Sequence, residues 1–343
     1  MAVLGNDLLT LADSKQLLKV EIADVAEVMR KATPIVDDIP YQEMNKGIEH
    51  VVALRSDLPE IYYRKANQAI PASKTTIEER KFVAAHFESK SQMDEAVAEY
   101  GGKEMVTKNR WNQAEGHIQA NAHELADLII YGSNEDSHLK VPGIFDILST
   151  LNPAEPTSKQ IVDAGGEGSD NASMVLVSWG KKKVYGIFEK GTQAGLRRID
   201  RSSGNTRVQI TGPLVGGGTG TYWSYEENFM VDHGLCVEDY RAMARVANID
   251  VTKLKTPADA ANLLKLLTKA LYRIPPTLRQ QKGKIYMNST LVAFLDEQAL
   301  EKVMAGAGLT YQNYQGEQVL SFRGWQIREM ENMLNTEGRV TAV

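Results

Sequence analysis

Apolar side chains between residues 14 and 32 fall at Leu18, Ile22, Val25, Ala26 and Met29, the three- and four-residue steps of a single helix face. Ser14 is placed to cap that helix and Pro34 to stop it. The spacing predicts an amphipathic arm whose stripe packs on another subunit or on the chain's own body. From Tyr41 to about Lys90 the pattern changes to short apolar runs at 50–54, 61–64 and 81–87, each broken by charge and separated by polar, proline-bearing stretches. Such runs predict a long two-stranded excursion lined by Arg55, Asp57, Arg64, Lys65, Glu78, Glu79, Arg80 and Lys81. A ribbon of ~45 residues with no core of its own is costly to order alone, so it either finds a partner or stays a solvated hairpin.

The most regular stretch is 103–131. Trp111, Ala114, Ile118, Ala122, Leu125 and Ile129 recur every three or four residues, and one helix through them would run about 43 Å at 1.5 Å per residue. Gly132 closes it. His117 and His123 lie six positions apart on this helix and face different ways, which excludes a local zinc pair. His123 and Glu124 also lack the second histidine of a zinc-protease helix. Further on, Thr256 and Pro257 open a helix through Ala260, Leu263, Leu264, Leu267, Leu271 and Ile274. "KIYMN" reads as a short strand, and Asn288 or Ser289 caps a helix through Leu291, Phe294, Leu295 and Leu300. Near the end, Trp325 and Ile327 alternate with Gln326 and Arg328 as in a strand.

Three stretches imitate chemistry without completing it. Asp163, Gly165, Glu167 and Gly168 echo a calcium loop, but Met174 stands where its bidentate glutamate belongs. "SDN" at 169–171 and "SWGK" at 178–181 echo β-lactamase motifs in reversed order, with the lysine–threonine–glycine element missing and Ser178 in a strand-like run. "GPLVGGGTGT" at 212–221 is rich in glycine, yet a phosphate loop joins a strand to a helix. Here "TRVQIT" precedes it and "TYWSYEENFMV" follows, both strand-like, and no lysine follows Gly217 and Gly218. The pattern predicts a connection between two β-strands.

Composition narrows the class. At 343 residues with 43% hydrophobic content, the chain can hold two domains and a sizeable core. A formal net charge of −5 argues against a dedicated nucleic-acid binder. Cys236 is the only cysteine, so no intrachain disulfide forms, and it reads as a small buried hydrophobe. The N-terminus lacks the pattern of a signal peptide, and no run reaches the ~18 apolar residues of a membrane span. The expectation is a soluble protein kept in reducing conditions. Charge is unevenly placed: residues 181–207 carry eight Lys/Arg against Glu189 and Asp200, a net of +6. Residues 222–240 carry Glu226, Glu227, Asp232, Glu238 and Asp239 with no Lys or Arg, a net of −5. Blocks of opposite sign can set register between identical copies, or they can be two solvated strands. If they pair between subunits, reversing Arg197 and Arg198 to Glu weakens assembly and leaves the subunit's melting temperature nearly unchanged.

The order of these parts, with several local stretches, carries a resemblance. "DLPEIYYRKANQAIPAS", "VLVSWGKKKVYGIFEKGTQAGL", "GLCVEDYRAMARVANID", "IYMNSTLVAFLDEQAL" and "GEQVLSFRGWQIREMENMLNTEGRV" together resemble the major capsid proteins of tailed bacteriophages, over residues from about 10 to 340. The resemblance implies an α+β chain with the Hong Kong 97-like (Johnson) fold. It implies an N-terminal arm at 1–40, an extended loop with flanking strands at 41–100, and a peripheral domain at 101–250 with spine helix 103–131 and a strand-rich insertion. An axial domain at 251–335 and a tail at 336–343 complete it. The implied function is a major capsid protein assembling into the icosahedral shell round a double-stranded DNA phage genome, in the virion and built in the host cytoplasm. An encapsulin-like shell enclosing protein cargo is the alternative.

The implied partners are the chain itself in hexamers and pentamers, a separate scaffolding protein, a portal protein, packaged double-stranded DNA by non-specific contact and a possible decoration protein, with no membrane. A separate scaffold is expected because about 40 residues precede the ribbon, too few for a coiled-coil scaffold segment. No catalytic, cofactor-binding or metal residues are expected, and no motif locates a lysine–asparagine cross-link of the kind some homologues form. The expected assembly contacts are Arg55, Asp57, Tyr62, Tyr63, Arg64, Lys65, Arg197, Arg198, Glu226 and Glu227.

Overall fold

A computed structural model describes residues 9–10, 33–47, 49–57, 59–99, 106–134, 139–202, 207–213, 218–256, 261–279, 283–301, 309–314 and 317–342. The arm helix expected over 14–32 lies outside them. In chain order the first elements are β1 (Leu9–Thr10), α1 (Pro34–Asp38), β2 (Tyr41–Glu43), β3 (His50–Asp57), β4 (Thr76–Phe82), β5 (Ala85–Asp94), α2 (Glu95–Ala98) and α3 (Val106–Tyr131). Next come α4 (Ile144–Ile147), β6 (Ile161–Asp163), β7 (Asn171–Val177), β8 (Val184–Phe188), β9 (Gly195–Asp200), β10 (Val208–Pro213), β11 (Thr219–Val237) and β12 (Met243–Asp250). The last are α5 (Val251–Leu254), α6 (Leu263–Arg273), α7 (Pro276–Arg279), β13 (Lys284–Met287), α8 (Ser289–Glu301), β14 (Leu309–Tyr314), β15 (Glu317–Phe322) and β16 (Trp325–Glu329).

Two seven-stranded sheets and one two-stranded ribbon account for the strands. The first sheet is organised on β11, which pairs with β5, β8, β9 and β10 along its 19 residues, all antiparallel. β1 extends the sheet beyond β9 and β2 beyond β8. The glycine stretch belongs here, since β10 and β11 pair from Val208↔Ser224 to Pro213↔Thr219 on either side of it. A strand-to-strand connection is what its flanks predict. The second sheet runs β14-β15-β16-β13-β7-β12-β6. Its β15–β16 corner is a tight turn at Arg323 and Gly324, both at positive φ (52° and 85°), a conformation that glycine adopts without strain.

The second sheet is a partition between two cores. β7 is buried at every position and β12 at all but Asp250. Strand side chains alternate sides. Ala172, Met174, Leu176, Ala244, Val246, Ile285 and Met287 therefore pack on one side with Leu263, Leu267 and Leu271 of α6 and Leu291 and Leu295 of α8. Val175, Val177, Met243, Ala247 and Tyr286 face the other way, into the core built on α3. A bulge between Val246 and Ile249, with Asn248 at φ 59°, shifts the register so that both faces stay apolar at the end of β12. The division expected at residue 250 runs through this sheet, because β6, β7 and β12 hydrogen-bond into the same sheet as β13 to β16. Those strands go with the elements after 251 as well as with the spine.

The helix α3 matches the expected spine: Trp111, Ala114, Ile118, Ala122, Leu125 and Ile129 are all buried. Burying a large apolar side chain contributes about 1.5–3 kcal/mol, so this stripe is a main source of the helix's stability. Two start signals differ from expectation. Pro34 opens α1 at its first position, where its missing N–H costs nothing, rather than only ending what precedes it. α6 begins at Leu263, capped by Asn262, whose side chain accepts from the Lys265 N–H at 3.1 Å. Asn288 caps α8 by accepting from the Leu291 N–H at 2.9 Å.

The C-terminal segment is tied to the α3 side of the second sheet through a buried ion pair. Arg245 on β12 and Glu337 meet at 3.0 Å, each with a side chain 6% exposed. Ser173 and Tyr131 donate hydroxyls to the carboxylate, and Arg245 donates to the Leu148 carbonyl at 3.0 Å while lying over the Phe145 ring at 3.7 Å. Burial pushes the Glu337 carboxyl up and the Arg245 guanidinium down from their ordinary values, and the pairing offsets only part of each. Removing one partner leaves the other buried and uncompensated. Glu337→Ala is therefore expected to cost the subunit about 3–5 kcal/mol, read from the shift in its urea denaturation curve. A loss under about 0.5 kcal/mol would show that water reaches Arg245.

Candidate assembly interface

β3 and β4 form the predicted ribbon, paired antiparallel from His50↔Phe82 to Asp57↔Thr76 with a register shift between Arg55 and Asp57. Every described residue from 59 to 74 is exposed. The run at 61–64 has no regular structure, because nothing packs against it to complete a strand. Ile61 is 88% and Tyr63 102% exposed, so the loop presents large apolar side chains that the chain itself never covers. Its order comes from local bonds: Tyr62 donates its hydroxyl to Glu60, Ser73 donates to the Glu60 carbonyl at 3.1 Å, and Arg64 donates to the Gln68 carbonyl at 3.4 Å. The Lys65 N–H donates to the Gln68 side chain at 3.3 Å, which closes the turn round Asn67 (φ 62°). Arg55 and Asp57 lie on β3 near the outer end of the ribbon. Tyr62, Tyr63, Arg64 and Lys65 are thus gathered in one exposed loop beyond the strands that hold Arg55 and Asp57.

The ribbon's root is anchored. Met44, Tyr185, Ile187 and Cys236 form a small buried cluster, against which Val52, Phe82 and Ala84 pack. The Asn45 N–H donates to His50 Nδ1 at 3.3 Å, so Nε2 carries the proton and donates to the Tyr185 oxygen at 3.0 Å. Tyr185 in turn donates to Glu238 at 2.6 Å. Gly234 on β11 lets the ribbon cross closely, since a Cβ there would meet the Val83 carbonyl oxygen at 2.4 Å. Cys236 is fully buried, as expected, and burial pushes its thiol up to about 12.

The two charge blocks meet within one chain. The β9–β11 register sets Asp200 opposite Glu227, Arg198 opposite Phe229 and Arg197 opposite Met230. Arg198 makes a bidentate pair with Glu227, both bonds 2.8 Å, and lies over the Trp111 ring. Arg110 of the spine joins Glu227 and Asp200 and lies over the Tyr225 ring. Arg197 pairs with Asp232, which also holds His86 at 2.5 Å, and Glu226 pairs with Lys90. Glu227 and Asp232 are each only 3% exposed. The expected pairing of these blocks between subunits is corrected accordingly: Arg197, Arg198 and Glu227 are committed inside the subunit. Sequence reasoning also passed over Arg110, because nothing in a helix stripe shows which strand its polar edge will face.

Two consequences are measurable. Arg198→Glu places a second carboxylate against buried Glu227 and should destabilise the isolated subunit by about 3–5 kcal/mol, so its melting temperature falls rather than staying unchanged. A normal melting curve for that variant would show the Glu227 pair to be solvated.

The other consequence concerns acid. His233 is fully buried, its Nδ1 shares a hydrogen bond of 3.0 Å with the Tyr41 hydroxyl, and burial holds its pKa down at about 3. Burial lowers His50 as well, against the opposing pull of Glu238. Each is neutral in the fold but protonates in the unfolded chain below about 6.5, so the stability they contribute is full above that pH and lost as pH falls. Between pH 6.5 and 5.5 His233 alone should cost about 1 kcal/mol in urea denaturation, and His233→Gln should flatten that slope.

The fold as a whole matches known shells. A chain in the cryo-EM-derived structure of bacteriophage Epsilon15 aligns with 100% of this chain and 91% of its own length, at 24% identity and a TM-score of 0.67. The bacteriophage JBD30 capsid aligns with 88% of this chain and 91% of its own at 10% identity and a TM-score of 0.47. The SrpI encapsulin complex of Synechococcus elongatus aligns with 65% of this chain and 90% of its own at 12% identity and a TM-score of 0.38. No curated protein sequence matches. The class is an α+β chain with the Hong Kong 97-like fold. The family described as Major capsid protein GP7 matches residues 19–341, and the chain belongs to that family. It is a structural component of the virion shell.

Proposed function

We propose that this subunit forms hexamers and pentamers of an icosahedral head, and that its ribbon, which the sequence places at 46–90 and the β3–β4 pairing limits to residues 50–82 because 85–90 belong to β5, lies over a neighbouring subunit. The observation that carries this is a loop exposed throughout 59–74, bearing Ile61, Tyr62 and Tyr63, on a root that is firmly packed. Arg55, Asp57, Tyr62, Tyr63, Arg64 and Lys65 are the contacts, charged and aromatic side chains of the kind that specify partner surfaces. The head encloses double-stranded DNA held by non-specific contact and is built in the host cytoplasm. A separate scaffolding protein and a portal protein take part, and a decoration protein is a possible addition. The subunit acts by shape and area, without catalysis. Cys236, the one thiol, is held protonated by burial and is unsuited to nucleophilic attack.

Deleting 69–76, at the ribbon's outer end, tests the reading. The shortened subunit should keep its circular dichroism and melting temperature while electron microscopy shows few or no regular shells. Global unfolding would instead give the ribbon a structural role within the subunit. Normal shells would remove it from the assembly contacts.

A further inference from the structure

Every exposed residue of α6 except Tyr272 is cationic. Lys265, Lys269 and Arg273 lie four residues apart along it and are all exposed, while the leucines of the same helix are buried and the helix carries no acidic residue. At 1.5 Å per residue the three charges span about 12 Å. At the C-terminal end of α6 the row widens into a cluster. Arg279 lies over the Tyr272 ring at 4.4 Å, Arg323 lies over the same ring at 5.7 Å and donates to its hydroxyl at 3.3 Å, and Arg273 donates to the carbonyl of Lys159 at 2.9 Å. None of these five cations forms an ion pair with a carboxylate among the described residues. The arginines of β9 are neutralised inside the subunit, whereas these five make no ion pair among the described residues, on a chain whose formal net charge is −5.

Five like charges along α6 and round the Tyr272 ring repel one another, and an anion relieves that repulsion. Two kinds of macromolecule could supply it, a nucleic acid or an acidic protein. The face favours the first. Protein interfaces are centred on buried apolar anchors, and Tyr272, 61% exposed, is the one large apolar side chain that α6 presents to solvent. Phosphate contact needs only a row of cations, and a planar guanidinium matches a phosphate in a forked pair. A chain with an acidic total repels DNA overall, so any non-specific contact must be local.

We propose that the α6 face, with the arginines round Tyr272, is a binding surface for nucleic-acid phosphates and contacts the packaged genome. This rests on the shell reading above. In full-length capsomers, anisotropy of a labelled mixed-sequence duplex of roughly 30 base pairs should show binding that weakens steeply from about 50 to 200 mM salt. The Lys265→Gln, Lys269→Gln, Arg273→Gln triple variant should bind roughly tenfold more weakly, with a log–log salt slope smaller by about 0.9 for each phosphate it no longer neutralises. Lys265→Arg with Lys269→Arg should bind as the unaltered chain does, and matching circular dichroism shows that every variant is folded. Unchanged affinity and slope in the triple variant overturn the proposal, as does failure of the unaltered chain to bind the duplex. Poly-glutamate bound as tightly, and released by the same triple substitution, overturns it in favour of an acidic protein. Electron microscopy of the same preparation tests the shell reading separately, since shells with unchanged DNA affinity sink this proposal alone.

Discussion

The fold depends on two central strands with no solvent face. β7 and β12 are buried on both sides, so every residue along them must suit one of two cores, and each core needs the other's pressure to hold the sheet flat between them. Polar groups admitted to that sheet must be satisfied in place. Arg245 and Ser173 meet this demand by recruiting Glu337 from the C-terminal segment. A segment that would otherwise be a loose tail becomes part of the partition, with Val340 bonded to Asn248 through both its N–H and its carbonyl. The C-terminal segment is therefore held to the α3 side of the sheet through hydrogen bonds as well as packing.

The same logic governs the other sheet. β11 changes character along its length, from an exposed hairpin at its start to complete burial over its last residues. Its middle crosses the spine, and there the strand carries carboxylates where apolar residues might be expected. Glu227 and Asp232 are tolerated because Arg110, Arg197 and Arg198 reach them from two different elements. Buried pairs of this kind contribute little net stability, yet either partner alone is strongly unfavourable. They fix the register of β9 on β11, since a one-residue slip would turn each arginine to the opposite face of the sheet.

Much of this was legible in the residues and some was not. Local periodicity carries the spine helix, the ribbon, the glycine-flanked hairpin and the closing strand, because each is specified by neighbours within a few positions. Asn262 displaced Thr256 as the start of α6 for a local reason too: it sits one residue before the buried leucines and can reach the Lys265 N–H. What periodicity cannot carry is pairing between distant segments. The antiparallel pairing of β7 with β13 unites strands more than a hundred residues apart, and that is why the sheet crosses residue 250. The charge blocks are the sharper case. Their opposite signs were plain, but Arg198 and Glu227 are 29 positions apart, and only the β9–β11 register shows that they meet inside the subunit. Of the expected contacts, the aromatic and basic residues of the exposed loop are the ones the chain leaves without a core to cover them.

That difference in treatment separates two kinds of charge in the molecule. Where arginine is buried it is paired, stacked on an aromatic ring and held by register, as with Arg110 on Tyr225, Arg198 on Trp111 and Arg245 on Phe145. Those side chains are fixed parts of the subunit and lose too much on exposure to serve as adaptable contacts. Where cations remain in solvent, on the ribbon loop and along α6, they sit on elements whose other faces are already secured, by the root cluster round Tyr185 and by the leucines of α6. Such charges can meet a partner and leave it again without disturbing the core beneath. In a subunit that must stay folded both before and after it enters a shell, contact surfaces belong on secured elements and buried ion pairs do not supply them.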